Sequence, residues 1–249
     1  MIVLDSVDKV FNSGKANQVH AVNNVSLTVA DGEFLVIVGS NGSGKSSLLN
    51  LVAGSVLPGR GTISINNTDV TRLNDYDRSK WIARVFQNPL SGTAPDLSII
   101  DNFRLAALRT SAKGFSVGVT TAFKNSIREK IATLGMGLEN KTGQLMGTLS
   151  GGQRQALTLL MSVTDICKVL LLDEPAAALD PRSADIVMKT ADNIIRDFKL
   201  TSILITHNLK DAYNYGNRII QMSEGCIIKD IKGENKTQLT QNEIFTWFS

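Results

Sequence analysis

The sequence predicts an α/β protein, a parallel-sheet core joined to a small antiparallel sheet and an inserted helical segment. Short, wholly apolar runs at Phe34–Val38, Val169–Leu172 and Ile203–Ile205 suit strands buried on both faces, as in parallel sheets covered by helices. Period-two alternation at Val25, Leu27 and Val29, and again at Ile63 and Ile65, suits half-buried antiparallel strands. The stretch 89–160 carries few strand signals and shows helix-like spacing at Asp101–Leu108 and Phe123–Leu134.

In chain order, Asp31-Gly32 is the turn signal after the first alternating stretch, and Asn66-Asn67 the one after the second. Between them, Phe34–Val38 runs into a Gly/Ser-rich segment and then into Leu48, Leu49, Leu51 and Val52 at helical spacing. Thr110–Thr121, rich in Ser, Thr, Gly and Lys, is expected to be a solvated loop. Asn102–Leu108 carries an apolar stripe that suits either helix core or a partner-facing patch. After Arg218 the chain predicts a hairpin about Ser223-Glu224-Gly225, a polar segment and a short terminal helix. Open α/β sheets bind ligands beyond the carboxyl ends of their strands. All three buried runs deliver polar residues there: Gly39–Ser47, Asp173-Glu174 and Thr206-His207. Core packing alone does not explain that coincidence.

Composition narrows the function. The 249 residues are 43% hydrophobic and 20% charged, which excludes a disordered or low-complexity chain and leaves material for a sizeable core. A net charge of +3 is too small a surplus to argue for nucleic acid or an acidic membrane. Cys167 and Cys226, without a CxxC, make no disulfide framework, so a reducing compartment is the default. No apolar run approaches the ~18 residues that cross a bilayer, and Met1-Ile2-Val3-Leu4-Asp5 lacks the features of a signal peptide. Any membrane role is therefore expected to come through a partner.

Gly39-Ser40-Asn41-Gly42-Ser43-Gly44-Lys45-Ser46 fits the phosphate-cradling pattern G-x-x-x-x-G-K-[ST], with the required strand before it and helix after it. Its glycines let consecutive backbone N–H groups turn around a polyphosphate, and the helix N-terminus adds its dipole. Lys45 would neutralise the β- and γ-phosphates, Ser46 would ligate Mg²⁺, and Ser47 completes the nucleotide-binding set. Asp173 suits an indirect Mg²⁺ contact, and Glu174 suits general-base work on a water attacking the γ-phosphate. Ser150 and Gln153 have capping-box spacing ahead of Ala156, Leu157, Leu159 and Leu160, so a helix starts at Ser150-Gly151-Gly152-Gln153. Two glycines would leave that N-terminus accessible as a second anion site. His20 is expected to have no functional role.

With Leu149-Ser150-Gly151-Gly152-Gln153 in view, the sequence resembles the ATP-binding-cassette (ABC) ATPases, whose signature reads the same. The resemblance spans about residues 2–225 and implies a P-loop NTPase fold, with a RecA-like core at 1–88 and 161–249 and a helical subdomain at 89–160. It matches Gln87 to the Q-loop glutamine that senses Mg²⁺ and the attacking water, so Gln87 joins Ser46 and Asp173 on the metal side. It matches His207 to the switch histidine at the γ-phosphate, and Asp180 in Ala178-Leu179-Asp180 to the loop that crosses between subunits. Phe11 stands where the family places an aromatic on the adenine. Ala176 and Ala177 depart from the Thr and Ser common after Asp-Glu-Pro, which removes two hydroxyls near that crossing loop.

The resemblance implies ATP and Mg²⁺ as cofactors and a homodimer that sandwiches two ATP molecules head to tail. It also implies a separate membrane permease whose cytoplasmic helix docks near Gln87, which would place the chain on the cytoplasmic face of the membrane. No nucleic-acid partner is expected, and a substrate-binding protein would act through the permease. A stand-alone cassette looks most like bacterial importers, and 86–95 together with 150–160 is similar to a group associated with aromatic amino acids. A lipid or lipoprotein exporter cassette and a soluble ABC ATPase working on nucleic acid or ribosomes are the alternatives. A non-hydrolysing regulatory cassette is disfavoured because Lys45, Ser46, Gln87, Asp173, Glu174 and His207 are all present.

Overall fold

The structure, a computed structural model, describes residues 1–110 and 118–247, and its strands fall into two sheets. The antiparallel sheet has the order β2-β1-β4-β5, from β1 (Ile2–Phe11), β2 (Val19–Val29), β4 (Arg60–Ile65) and β5 (Thr68–Asp69). Alternation sets its register: Leu4 opposes Leu27 and Ile63, which puts three buried side chains on one face. The second sheet has the order β10-β9-β3-β8-β7-β6. It comprises β3 (Phe34–Val38), β6 (Ile82–Val85), β7 (Val169–Asp173), β8 (Thr201–Ile205), β9 (Arg218–Ser223) and β10 (Cys226–Lys232). Strands β6, β7, β8, β3 and β9 run parallel, and β10 returns antiparallel through the expected hairpin.

Helices cover both faces of the parallel sheet. Helix α1 (Lys45–Ala53) follows β3, and α2 (Asp75–Arg78) precedes β6. Then come α3 (Ile99–Ala106), α4 (Thr121–Ala132) and α5 (Gly151–Ser162), followed by α6 (Pro181–Asp197) and α7 (Leu209–Asn214). Two short helices, α8 (Glu234–Thr237) and α9 (Gln241–Phe245), end the described chain. One apolar core gathers Leu35, Ile37 and α1 against the antiparallel sheet; the other gathers Val36, Val38 and Phe103 with α5 and α6. Val36 and Ile37 belong to opposite cores, which is why the strand reads as an unbroken apolar run.

Several sequence expectations shift by a few residues. The helix expected at Asp101–Leu108 spans Ile99–Ala106 because Ser98 caps it, and the one expected at Phe123–Leu134 spans Thr121–Ala132 under a Thr120 cap. The apolar stripe on α3 divides: Phe103 is fully buried, whereas Leu105 is 53% exposed. Most of the loop expected at Thr110–Thr121 falls on 111–117, outside the described residues. Strand β6 had not been expected.

Candidate functional site

The carboxyl ends of β3, β6, β7 and β8 converge, and each carries one part of the site. After β3, the chain turns through Gly39 at φ 147° and Gly44 at φ 100°, both in the left-handed region that glycine tolerates. Space demands glycine as well. A Cβ on Gly39 would lie 2.3 Å from the Met222 carbonyl oxygen, and one on Gly44 would lie 2.3 Å from that of Ala21. The loop closes on the Lys45 ammonium, whose Nζ donates to the Gly39 and Ser40 carbonyls at 2.8 Å each. Burial pushes the Lys45 pKa down, while Glu174 and Asp173 pull it back up. Ser40, Asn41, Gly42 and Ser46 are exposed, Ser43 is buried and Ser47 is half-buried, so the loop offers its outer surface to solvent.

Asp173 closes β7, and Glu174 follows at φ 47°, a positive φ rarely adopted by a side-chain-bearing residue. The Glu174 N–H donates to the Ile205 carbonyl at 3.0 Å, which holds that conformation against β8. Its carboxylate is the meeting point of the site. Gln87 Nε2 donates to Glu174 Oε2 at 3.2 Å, and His207 Nδ1 lies 2.9 Å from the same oxygen. Gln87 comes from the end of β6 and His207 from the end of β8, just ahead of the Asn208 cap of α7. Three residues distant in sequence thus meet at one oxygen.

The start of α5 makes no hydrogen bond to Gln87, Glu174 or His207 among the described residues. Ser150 accepts from the Gln153 N–H, and the Gln153 side chain reaches back to the Ser150 N–H, so the expected capping box is present. The two glycines also serve packing within the chain. Gly152 is buried, and a Cβ there would lie 2.4 Å from Cβ of Ser183 in α6. Gly151 is half-buried, and a Cβ there would meet Leu179 Cδ2 at 3.2 Å. Their smallness lets α5 seat on the loop that leads to Asp180, the N-cap of α6. Among the described residues, no hydrogen bond joins Ser150, Gly151, Gly152, Gln153 or Asp180 to Gly39–Ser47.

The chain resembles known proteins over most of its length. The family model described as "ABC transporter" matches residues 22–177. The chain belongs to the ABC transporter ATPase family. A tyrosine transport ATP-binding protein of Clostridioides difficile (strain R20291) is 36% identical over 251 residues, covering 100% of this chain and 98% of that relative. Methionine import ATP-binding protein MetN 1 of Bacillus thuringiensis subsp. konkukian (strain 97-27) is 33% identical, covering 97% of this chain and 70% of that relative. Among solved structures, a dimeric ATP-binding cassette, MJ0796, in a post-hydrolysis state with ADP and Pi superposes with a TM-score of 0.80. That cassette is 26% identical, and the match covers 93% of this chain and 98% of that one. The chain is accordingly an ABC ATPase, the subunit that binds and hydrolyses ATP.

Within this ABC ATPase, the remaining sites have clear surroundings. Phe11 ends β1 opposite Val19, is half-buried and joins neither core cluster among the described residues. The Lys9 ammonium lies 5.2 Å from its ring centroid. His20 faces Asp8 rather than the cleft. Two residues near the cleft escaped the sequence reading. Gln155, fully buried on α5, donates to the Phe86 carbonyl at 2.8 Å and ties the signature helix to the Gln87 segment. Arg84 pairs with Asp173 at 2.7 Å. A cation inside the short apolar run Ile82–Val85 was the only sequence sign of that pair.

Proposed function

We propose that this ATPase drives import of a small solute, an amino acid and foremost an aromatic one, through a separate membrane permease. The observation that carries the catalytic reading is the convergence of Gln87 and His207 on one oxygen of Glu174, at the strand ends beside the Lys45 loop. Glu174 takes the proton of the attacking water, and Gln87 and His207 orient its carboxylate and face the γ-phosphate. Backbone N–H groups of Gly39–Ser47 cradle the phosphates, with Lys45 as their cation.

Among the described residues, no group of three or more His, Cys, Asp or Glu side chains could hold a metal ion unaided. Ser46 and Asp173, with Gln87 nearby, instead fit a cation that arrives on the nucleotide's own phosphates, as Mg²⁺ does. Mg²⁺ would supply positive charge against the β- and γ-phosphates. The dimeric cassette among the structural neighbours supports a head-to-tail homodimer, in which each signature helix caps the nucleotide of the partner.

Among the described residues, no helix is long and apolar enough to cross a membrane. A groove lined by Tyr76, Ala83, Leu105, Arg109 and Thr158 lies beside the Gln87 segment and suits a short cytoplasmic helix of the permease. The subunit then sits peripherally on the cytoplasmic face, and a substrate-binding protein acts through the permease. The cargo class is supported by the tyrosine transport relative, which matches this chain over nearly its whole length.

Two measurements check the whole reading. Capture from detergent-solubilised membranes of the source cell should recover an integral protein with several spans. Recovery of ribosomes or DNA alone, at salt that screens non-specific contacts, would instead favour the soluble alternative. A strain lacking this chain should lose uptake of labelled tyrosine, tryptophan or phenylalanine, and unchanged uptake of all three would overturn the cargo class.

Phe11 carries the proposed adenine contact, with Lys9 against its ring. Phe11→Ala should weaken ATP binding by about 1–2 kcal/mol, the scale of one stacking contact. Unchanged affinity in a folded variant would remove Phe11 from the binding set.

A further inference from the structure

Arg84 lines the groove beside the Gln87 segment, pairs with Asp173 and belongs to none of the motifs above. It sits on β6 opposite Leu171 of β7, and its Nη2 donates to Asp173 Oδ2 at 2.7 Å. Its Nη1 donates to Asn50 Oδ1 on α1 at 2.8 Å, and the guanidinium carbon lies 4.7 Å from the Phe86 ring centroid. The two ion-paired side chains are only 14% and 15% exposed, so each has given up most of its water to the other. Asp173 Oδ1 has no hydrogen-bond partner among the described residues. One guanidinium thus links the helix that follows the phosphate loop to the strand that carries Asp173.

A carboxylate beside a triphosphate repels it. Lys45 is the cation assigned to the phosphates themselves, and its ammonium donates to the Gly39 and Ser40 carbonyls rather than to Asp173. We propose that Arg84 is the resident counter-cation of Asp173, cancelling its repulsion of the phosphates so that the site accepts ATP whether or not Mg²⁺ accompanies it. When Mg²⁺ is present, the metal offsets the same carboxylate and Arg84 matters less. The inference rests on the placement of Asp173 beside the phosphates given under the proposed function. An uncompensated charge within about 6 Å of a phosphate, at an effective dielectric of about 20–40, corresponds to roughly tenfold or more in affinity.

The test is the binding of a fluorescent ATP analogue to the full chain, in excess Mg²⁺ and in EDTA. Arg84→Met should lose roughly tenfold or more in EDTA but less than about threefold in Mg²⁺. Arg84→Lys, which keeps the charge, should stay near the parent in both. The double variant Arg84→Met/Asp173→Asn should regain the parent's EDTA affinity, because the one carboxylate that Arg84 neutralises is gone. Should Arg84→Met not fold, Arg84→Gln keeps a donor without the charge and gives the same comparison. Equal losses in both media, or a double variant that does not recover, would reduce Arg84 to a structural strut and overturn the proposal. Asp173→Asn alone should also change how binding responds to Mg²⁺. If it does not, Asp173 is not beside the phosphates, and the site assignment falls together with the proposal.

Discussion

Glu174→Gln is expected to lower ATP turnover about 10²–10⁴-fold while ATP still binds, the range that general-base catalysis contributes. The substitution isolates the chemistry. Gln keeps the size and the positive-φ backbone, and its side-chain oxygen can still accept from Gln87, but it cannot hold the proton of water. With hydrolysis stopped, bound nucleotide should hold two subunits together, which size-exclusion chromatography with Mg-ATP would report beside phosphate release. Turnover at the parent rate would place the base elsewhere. Lost turnover without a stable dimer would keep the base and assign closure to the permease.

The second large effect is loss and recovery between two inactive variants. Lys45→Ala removes the cation at the centre of the loop and leaves the Gly39 and Ser40 carbonyls without their donor, so nucleotide binding and turnover should collapse. Gly151→Asp should be inactive for another reason, because it places a carboxylate where the partner's phosphate would approach. It is the safer signature variant, since its Cβ meets the end of the Leu179 side chain at 3.2 Å and Pro89 Cγ at an ordinary 4.0 Å. Gly152→Asp would instead collide with Ser183 inside its own subunit. Mixing the two inactive proteins builds heterodimers with one doubly defective site and one intact site. Random pairing would then restore about a quarter of the parental sites, as two-fold symmetry requires. No recovery under conditions shown to form heterodimers would argue against composite sites working independently.

Much of this was legible in the sequence, because the local signals and the chemistry coincide. The runs Phe34–Val38, Val169–Leu172 and Ile203–Ile205 are apolar because both faces are covered, and each ends where the sheet delivers a functional group. Ser150 and Gln153 announced a helix start at the right residue. Strand β6 was hidden because its third residue, Arg84, is charged, and that charge makes sense only beside Asp173, far along the chain. Pairing across a sheet is a long-range fact that no local period encodes. The burial of Gly152 was concealed for the same reason, since Ser183 lies on a different helix. Helix α6 carries Val187, Met188, Ala191, Ile194 and Ile195 at helical spacing, yet it lacks any motif to draw attention.

The carbonyls that back the phosphate loop also set the order in which the protein becomes competent during synthesis. Gly39 is walled by Met222, Gly44 by Ala21 and Gly225, and the Gly225 N–H donates to the Ser43 carbonyl at 3.1 Å. The loop residues leave the ribosome about 180 residues before the β9–β10 turn, roughly 10–40 s earlier at 5–20 residues per second. Throughout that interval the loop lacks its rear wall, and β3 lacks both β8 and β9, its neighbours in the sheet. The full stabilisation of the fold by ATP comes only after the last third of the chain has been made, and until then the half-built sheet presents unpaired strand edges.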